Sequence, residues 1–359
     1  MLALQAVIPE RLAAAVPEVT LDEARKVVAQ VHRGEPVAAS SAVRRTAATA
    51  VRAAGHVPVL EVVREVASAV DPFVKYALGS GGETFEAVRI PLERAGRFSV
   101  CVSSQVGCAL ACAFCATGRL GLQRNLAAWE IVEQVRVVRA RLPQGARVHG
   151  VVFQGMGEPL ANLDSVLDAI AVMSEPCALG IDARNITVCT AGLPAGIRRL
   201  AAEAPNVRLG LSLSSAIADH RRRVMPIAER FTLDEVIAAC ADHARSTGHS
   251  PMWAVTLLAG VNDSDADARA LGELAHAFTR DTGYRPRITL LDYNAIGPAP
   301  TRAAVELAAA AEPIAADPFA RSPRLAAFRD ILGASGLPTH RRYSGGPDIA
   351  AACGQLAGA

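Results

Sequence analysis

Between residues 98 and 291 the chain repeats one unit: a short run rich in β-branched residues, then an amphipathic stretch with helical period. The strand-like runs are 98–102, 148–154, 185–190, 207–213, 253–258 and 287–291, and the helical stretches are 126–140, 163–173, 194–202, 233–245 and 265–278. A strand–helix unit every 30 to 40 residues or so demands parallel strands joined by crossover helices. Six such strands predict an α/β fold built as a partial (β/α)6 barrel, open on one side, rather than a closed eightfold barrel. Ligand sites in such sheets lie on the loops that follow the strands.

The first 80 or so residues read differently. Thr20 can cap a helix over 21–31, with Glu23 at the capping-box position, and Ser40 or Ser41 can cap a second helix ending at Ala54. No chemistry is visible there, which predicts a small helical accessory domain over residues 1–72 and a core domain over 73–359. From Phe73 the pattern alternates, with Gly79-Ser-Gly-Gly82 between two runs, as in a hairpin. Hydrophobic residues make up 51% of the 359, enough for a sizeable core. No apolar run approaches the ~18–20 residues that span a membrane, and the first residues lack the basic region of a signal peptide. Eight cysteines in a chain of this kind fit metal binding in a reducing cytoplasm better than a disulfide framework. A formal charge of +2 permits a nucleic-acid partner without requiring one.

Cys108-Ala-Leu-Ala-Cys112-Ala-Phe-Cys115 follows the first strand of the repeat. Three thiols spaced C-x3-C-x2-C suit a [4Fe-4S] cluster that leaves one iron without a protein ligand, where S-adenosylmethionine (SAM) can chelate. Zinc needs four tetrahedral ligands, and no fourth Cys or His lies nearby in sequence. Phe114 can shield the cluster. After the second strand, Gly155-Met-Gly157-Glu158-Pro offers a close backbone approach and a carboxylate for the SAM ammonium. Ser212 and Ser214 end the fourth strand and can bond ribose or carboxylate, and Asn262 follows the fifth and can bond adenine or ribose. Near the C-terminus, Asp348-Ile-Ala-Ala-Ala-Cys353-Gly-Gln-Leu holds a cysteine that is either a small apolar filler or a group carrier.

Taken together, Cys101-Val-Ser-Ser-Gln-Val-Gly-Cys108 through Cys115, the Gly155–Pro159 loop, Gly260-Val-Asn-Asp263 and the Cys353 tail resemble the RlmN/Cfr family over residues 73 to 359. These are radical SAM methyltransferases acting on adenine carbons of RNA. The resemblance implies catalytic roles for Cys353, Glu86 and Cys101. Cys353 takes a methyl group from one SAM, and a radical from a second SAM activates it. The resulting carbon adds to the base, C2 being the expected position. Glu86 removes the ring proton, and Cys101 closes a disulfide with Cys353 to free the product. The cluster ligands are then Cys108, Cys112 and Cys115, and the SAM contacts are Gly157, Glu158, Cys189, Ser212, Ser214 and Asn262. The implied partners are ribosomal or transfer RNA and an external electron donor such as flavodoxin. Nothing demands more than a monomer, and the expected location is the cytoplasm.

Four stretches depart from the family pattern. Ser212-Leu-Ser-Ser215 stands for Ser-Leu-His-Ala, and Cys189-Thr190 for Ser-Thr. Tyr293-Asn294 lacks the following Pro, and Tyr343-Ser-Gly-Gly-Pro347 replaces a charged run. RNA contact is expected from Arg221, Arg222, Arg223, Arg341 and Arg342 together with the N-terminal region. The departures leave open a peptide or small-metabolite substrate, and a non-catalytic iron–sulfur protein is the reading from another class.

Overall fold

The computed structural model describes residues 1–296 and 317–357. Helices Pro9–Ala15, Leu21–His32 and Arg45–Ala54 pack around a core of their own that includes Leu12, Val27, Val31, Ala48 and Val51. The expected capping box is present: Glu23 N–H donates to Thr20 Oγ1 (3.3 Å), and Thr20 N–H donates to Glu23 Oε2 (3.0 Å). The third helix starts at Arg45, not at Ser40 or Ser41. Ser40 Oγ instead accepts from Ala42 N–H in a local turn, a known competitor of helix capping. Glu23 reaches across to accept from the Arg44 N–H (2.9 Å) and guanidinium (2.8 Å), tying the two helices together.

Ten strands form one sheet: β1 Glu61–Ala67, β2 Val74–Ser80, β3 Glu83–Pro91, β4 Arg97–Val102, β5 Arg147–Phe153, β6 Ile186–Thr190, β7 Arg208–Ser212, β8 Met252–Leu257, β9 Arg287–Asp292 and β10 Thr339–Arg341. Their order in space is their order in sequence. Strands β4 to β10 run parallel, while β1 to β4 are antiparallel. All six expected core strands are therefore there, extended by β10 on one edge and by the hairpin on the other. β1 lies within the stretch expected to be helical and pairs with β2, so the helical unit ends before Glu61 rather than at residue 72.

Sequential order has a physical consequence. Right-handed crossovers that never reverse direction put every connecting helix on the same face. The other face then encloses a lumen instead of packing on a second helical layer, as it would in a doubly wound sheet. The strands are two-faced accordingly. Ile186, Val188, Leu209, Leu211, Trp253, Val255, Ile288 and Leu290 belong to the buried core. Their alternating neighbours Thr187, Cys189, Ser212, Ala254, Thr256 and Thr289 line cavities. Small and polar residues at period two keep the lumen open. No helix among the described residues is long and apolar enough to cross a membrane.

Candidate active site

The loop after β4 carries Cys108, Cys112 and Cys115, and buried polar side chains fix where it leaves the strand. Ser103 N–H donates to Gln134 Oε1 (2.8 Å), whose Nε2 returns a bond to Ser103 O (2.9 Å). Ser103 Oγ donates to Glu86 O (2.6 Å) and accepts from Met156 N–H (2.8 Å). Gln105 Oε1 accepts from Glu158 N–H (2.9 Å), and Asn162 Nδ2 donates to both Ser104 O and Leu126 O. These bonds staple the thiol loop to the Gly155–Pro159 loop. Gly157 belongs to the staple: its φ is +96°, and a Cβ there would meet Gln105 Cβ at 2.5 Å.

The three thiols line one cavity together with Phe114, Gly155, Gly157, Glu158, Cys189, Ser212, Ser214 and Cys353. Among the described residues no three metal-type side chains already stand as a ligand group. Burial pushes the Cys108 thiol up to about 12 and raises Cys112 and Cys115 as well. Soft thiols that burial keeps protonated are ionised by the positive charge of the metal they bind. Three of them on one loop, shielded by Phe114, fit a [4Fe-4S] cluster with one open iron.

Glu158 is buried at the cavity wall, where Oε1 accepts from Leu160 N–H (3.0 Å) and Oε2 from Ala191 N–H (2.8 Å). Burial nevertheless pushes its carboxyl up to about 7. Ser214 is held at φ +59°, a conformation unusual for a residue with a Cβ. Asn262 holds it there. Its Nδ2 donates to Ser214 O (2.6 Å) and Thr256 O (2.9 Å), while its Oδ1 accepts from Leu258 N–H (2.8 Å). Asn262 thus braces the turn at Ser214 with both polar atoms of its amide, from a position behind the residues that line the cavity.

The C-terminal segment is docked. Cys353 N–H donates to Ser344 Oγ (2.7 Å), and Asn294 Nδ2 donates to Cys353 O (3.3 Å) and Ser344 Oγ (3.2 Å). Gly354 O accepts from Ala116 N–H (2.7 Å) and Leu356 O from Thr117 Oγ1 (2.6 Å), so the segment leans on the thiol loop. Gly345 packs so tightly on Phe73 that a Cβ would meet the ring at 2.3 Å. Cys353 faces the thiol cavity and also a second chamber, shared with Cys101. All eight cysteines are free, so the expected Cys101–Cys353 disulfide is not formed. Burial first, and Cys353 next, push the Cys101 thiol up to about 12, and a protonated thiol does not attack another sulfur. Burial also holds Cys189 at about 12. Glu86 is fully buried on β3, ion-paired to Lys75 Nζ (2.8 Å) and accepting from Ala357 N–H (2.8 Å). It lines neither chamber, because the docked segment lies against it.

The five arginines expected at RNA separate into classes. Arg221 is buried and donates to Ala191 O (2.6 Å), Ser212 O (3.0 Å) and Leu213 O (2.5 Å), bracing the ends of β6 and β7. Burial lowers its pKa to about 10. Arg342 points into the second chamber, donating to Gln154 Oε1 (2.6 Å) within electrostatic reach of Cys101, Cys189 and Cys353. Arg341 is exposed and paired with Asp292, and Arg222 is exposed and paired with Asp219. Arg223 is exposed. Sequence reasoning missed Ser103, Gln105, Gln134, Asn162, Asn294 and Ser344. Ser103 and Gln105 carried a signal, since both sit in the Cys101–Cys108 stretch that matches the family, and so did Asn294 and Ser344, which sit in stretches that depart from it.

Replacing Arg221 with Met leaves three buried carbonyls without donors, and we expect a loss on the order of 3–5 kcal/mol in urea unfolding. A loss under about 1 kcal/mol would show that water replaces the guanidinium. Glu158 gives a pH signature in the cluster-free protein. Its raised folded pKa means that unfolding releases a proton between about 4.5 and about 7, so its contribution to stability falls as pH rises through that window. Wild type should lose stability relative to Glu158→Gln between pH 5 and pH 8; a pH-independent difference would return the carboxyl to its ordinary pKa.

Comparison with known proteins places this geometry. The Radical SAM superfamily model matches residues 102–272, a span that contains all three clustered thiols. A protein of Sorangium cellulosum named a probable RNA methyltransferase is 58% identical over 361 residues, covering 98% of this chain and 91% of the relative. The dual-specificity RNA methyltransferase RlmN of Syntrophobacter fumaroxidans is 41% identical over 286 residues, 79% of this chain and 75% of its own. The crystal structure of a radical SAM methyltransferase from Sphaerobacter thermophilus superposes with a TM-score of 0.82 at 34% identity, covering all of both chains. Radical SAM enzymes use a [4Fe-4S] cluster and SAM, the pair for which the thiol cavity is built. The chain belongs to the RlmN-type family of radical SAM RNA methyltransferases.

Proposed function

We propose that the enzyme methylates an adenine carbon, C2, in ribosomal or transfer RNA through an S-methyl group carried on Cys353. The observation that carries this reading is the position of Cys353, which faces the three-thiol cavity on one side and the Cys101 chamber on the other. A carrier must meet a methyl donor and an acceptor, and a residue between two chambers reaches both. SAM at the cluster supplies the methyl group and, from a second molecule, the radical. The chain's own residues do the rest. Glu158 and Ser212 line the pocket that orients SAM. Asn294 and Ser344 hold the backbone of Cys353, which fixes where its sulfur stands.

Arg342, the one cation on the wall of the second chamber among the described residues, lies within electrostatic reach of Cys353 and offers a contact for an anionic group of the substrate. Glu86 acts as base on the ring proton once the segment around Ala357 leaves its carboxylate. Cys101, ionised once the bound RNA opens its chamber, then attacks the Cys353 sulfur; the carbon–sulfur bond to the RNA breaks as the S–S bond forms, which releases the product. The helical unit at the N-terminus is accessory to RNA binding, the electron comes from an external donor such as flavodoxin, and the enzyme works as a monomer in the cytoplasm.

Anaerobic reconstitution with methyl-labelled SAM and unmodified ribosomal and transfer RNA should yield labelled 2-methyladenosine by nucleoside mass spectrometry. Labelled 8-methyladenosine would reassign the carbon, and SAM cleavage without any labelled nucleoside would refute RNA as substrate. With Cys101→Ala, a protein–RNA adduct through Cys353 should accumulate; free methylated RNA at the wild-type rate would remove Cys101 from the release step.

A further inference from the structure

A third cavity, about 720 Å³, opens at the opposite end of the lumen from the thiol loop. That volume lies in the range of small-molecule and nucleotide sites. Its rim is set by the N-terminal ends of the parallel strands, where Arg208 begins β7 and Arg287 begins β9. Four wall residues, Phe73, Ile90, Arg342 and Tyr343, also line the chamber of Cys101 and Cys353. The two cavities therefore share a wall, and Arg342 and Tyr343 stand between the strand N-termini and Cys353.

The wall of this cavity carries only positive or titratable basic charge among the described residues: Arg208, Arg287 and Arg342, with His149 and His340, and no carboxylate. Composition does not explain that, since the whole chain has 37 Lys and Arg against 35 Asp and Glu. Arg208 and Arg287 are both exposed, and Arg287 acts on the charge of Arg208. The acid that Arg208 feels, Asp182, is already ion-paired to Arg184 at 2.7 Å. Two neighbouring cations left this way at the rim of a cavity suit phosphates, which they neutralise better than they would a neutral ligand.

Between rim and cysteine stands an aromatic. Tyr343 is 65% exposed, yet its ring is held from two sides. Phe73 packs edge-on at 6.1 Å, and the hydroxyl donates to Asp71 Oδ2 (2.8 Å). A fixed, open aromatic face beside basic side chains is how proteins hold an unstacked base. The outer helix Ala218–Val224 offers a weaker case, because Arg221 is buried and Arg222 is paired with Asp219.

We propose that the basic end of the lumen is the RNA entrance: Arg208 and Arg287 hold phosphates flanking a splayed-out nucleotide, whose base stacks on Tyr343 beside Cys353. The proposal rests on the RNA methyltransferase reading and says where on the protein that RNA enters. A base buried in a helix cannot reach a cysteine inside a lumen, so the target nucleotide leaves its stack to enter.

The test uses the reconstituted holoenzyme and unmodified transcripts of ribosomal and transfer RNA. For the double variant Arg208→Gln/Arg287→Gln, KM for RNA should rise at least roughly tenfold, with the slope of log K against log salt shallower by about 1.4 for two lost phosphate contacts. Arg208→Lys/Arg287→Lys should restore the slope. Tyr343→Ala should raise KM about tenfold, and Tyr343→Phe should not, which separates ring stacking from the Asp71 bond. Iron content and circular dichroism report folding. If wild type methylates RNA while the lumen variants keep its KM and salt slope, the entrance lies elsewhere and the proposal falls alone. If Arg222→Gln/Arg223→Gln flattens the slope instead, the outer helix is the RNA face. If wild type methylates no RNA but does methylate an acidic peptide, the RNA reading fails, and this proposal with it.

Discussion

The site depends on a staple of buried hydrogen bonds between the loops that follow β4 and β5. Ser103 and Gln105 on one side, and Met156 and Glu158 on the other, share three bonds in a region closed to water, with Gln134 and Asn162 bracing them from the helical layer. Each bond contributes only about 1 kcal/mol net, but a partner left unsatisfied there costs more than that, so the network forms as a unit. Its effect is positional. It sets three thiols opposite Glu158 across one cavity, a geometry that two independent loops would sample only in part.

A second constraint comes from the far end of the sequence. The segment around Cys353 makes no regular element longer than one turn, and still it is fixed by side chains from across the molecule: Asn294, Ser344, Thr117, Glu86 and Asp71. Asp71 accepts from Gly346 N–H (2.7 Å), while Ser68 and Ala69 donate to Asp348 (2.7 and 2.8 Å), so the link between β1 and β2 grips the segment. The hairpin at the edge of the parallel sheet is thus more than an extension of it. It helps hold Cys353 in place and keeps Glu86 behind the same segment. Glu86 and Cys353 are thus tied to one segment of chain, through the Ala357 N–H on Glu86 and the Ser344 and Asn294 bonds on Cys353.

Sequential strand order gives the lumen two chemically different ends. Loops at the C-terminal ends of the strands carry thiols, glycines and Glu158, and the N-terminal ends carry Arg208 and Arg287. Cofactor chemistry and substrate recognition can therefore occupy one lumen without competing for the same residues. Between them lie Arg342 and Tyr343, the second of which opens a stretch that departs from the family pattern.

The order of strands and helices, the three-thiol loop, the Gly155–Pro159 loop and Cys353 were all legible in the sequence. Each depends on local information: hydrophobic period, a fixed spacing of ligands, or residues that cluster within a dozen positions. What the arginines do was not legible. Arg221, Arg222 and Arg223 are adjacent and identical in type, yet one is a buried brace and another is an exposed, paired charge, because helical rotation turns each to a different environment. That Asn262 braces Ser214 and Thr256 was not legible for a similar reason, since an amide bonds backbone and ligand equally well and its protein partners come from distant positions. The third helix begins late because Ser40 is spent on a local turn, and Glu23, distant in sequence, fixes Arg44 just before the helix. The sequence by itself determined the fold and the cofactor chemistry, through period and spacing. Tertiary structure decided which polar groups face the lumen, which brace it and which cations remain unpaired at its mouth, because those depend on partners brought together only when the sheet curls.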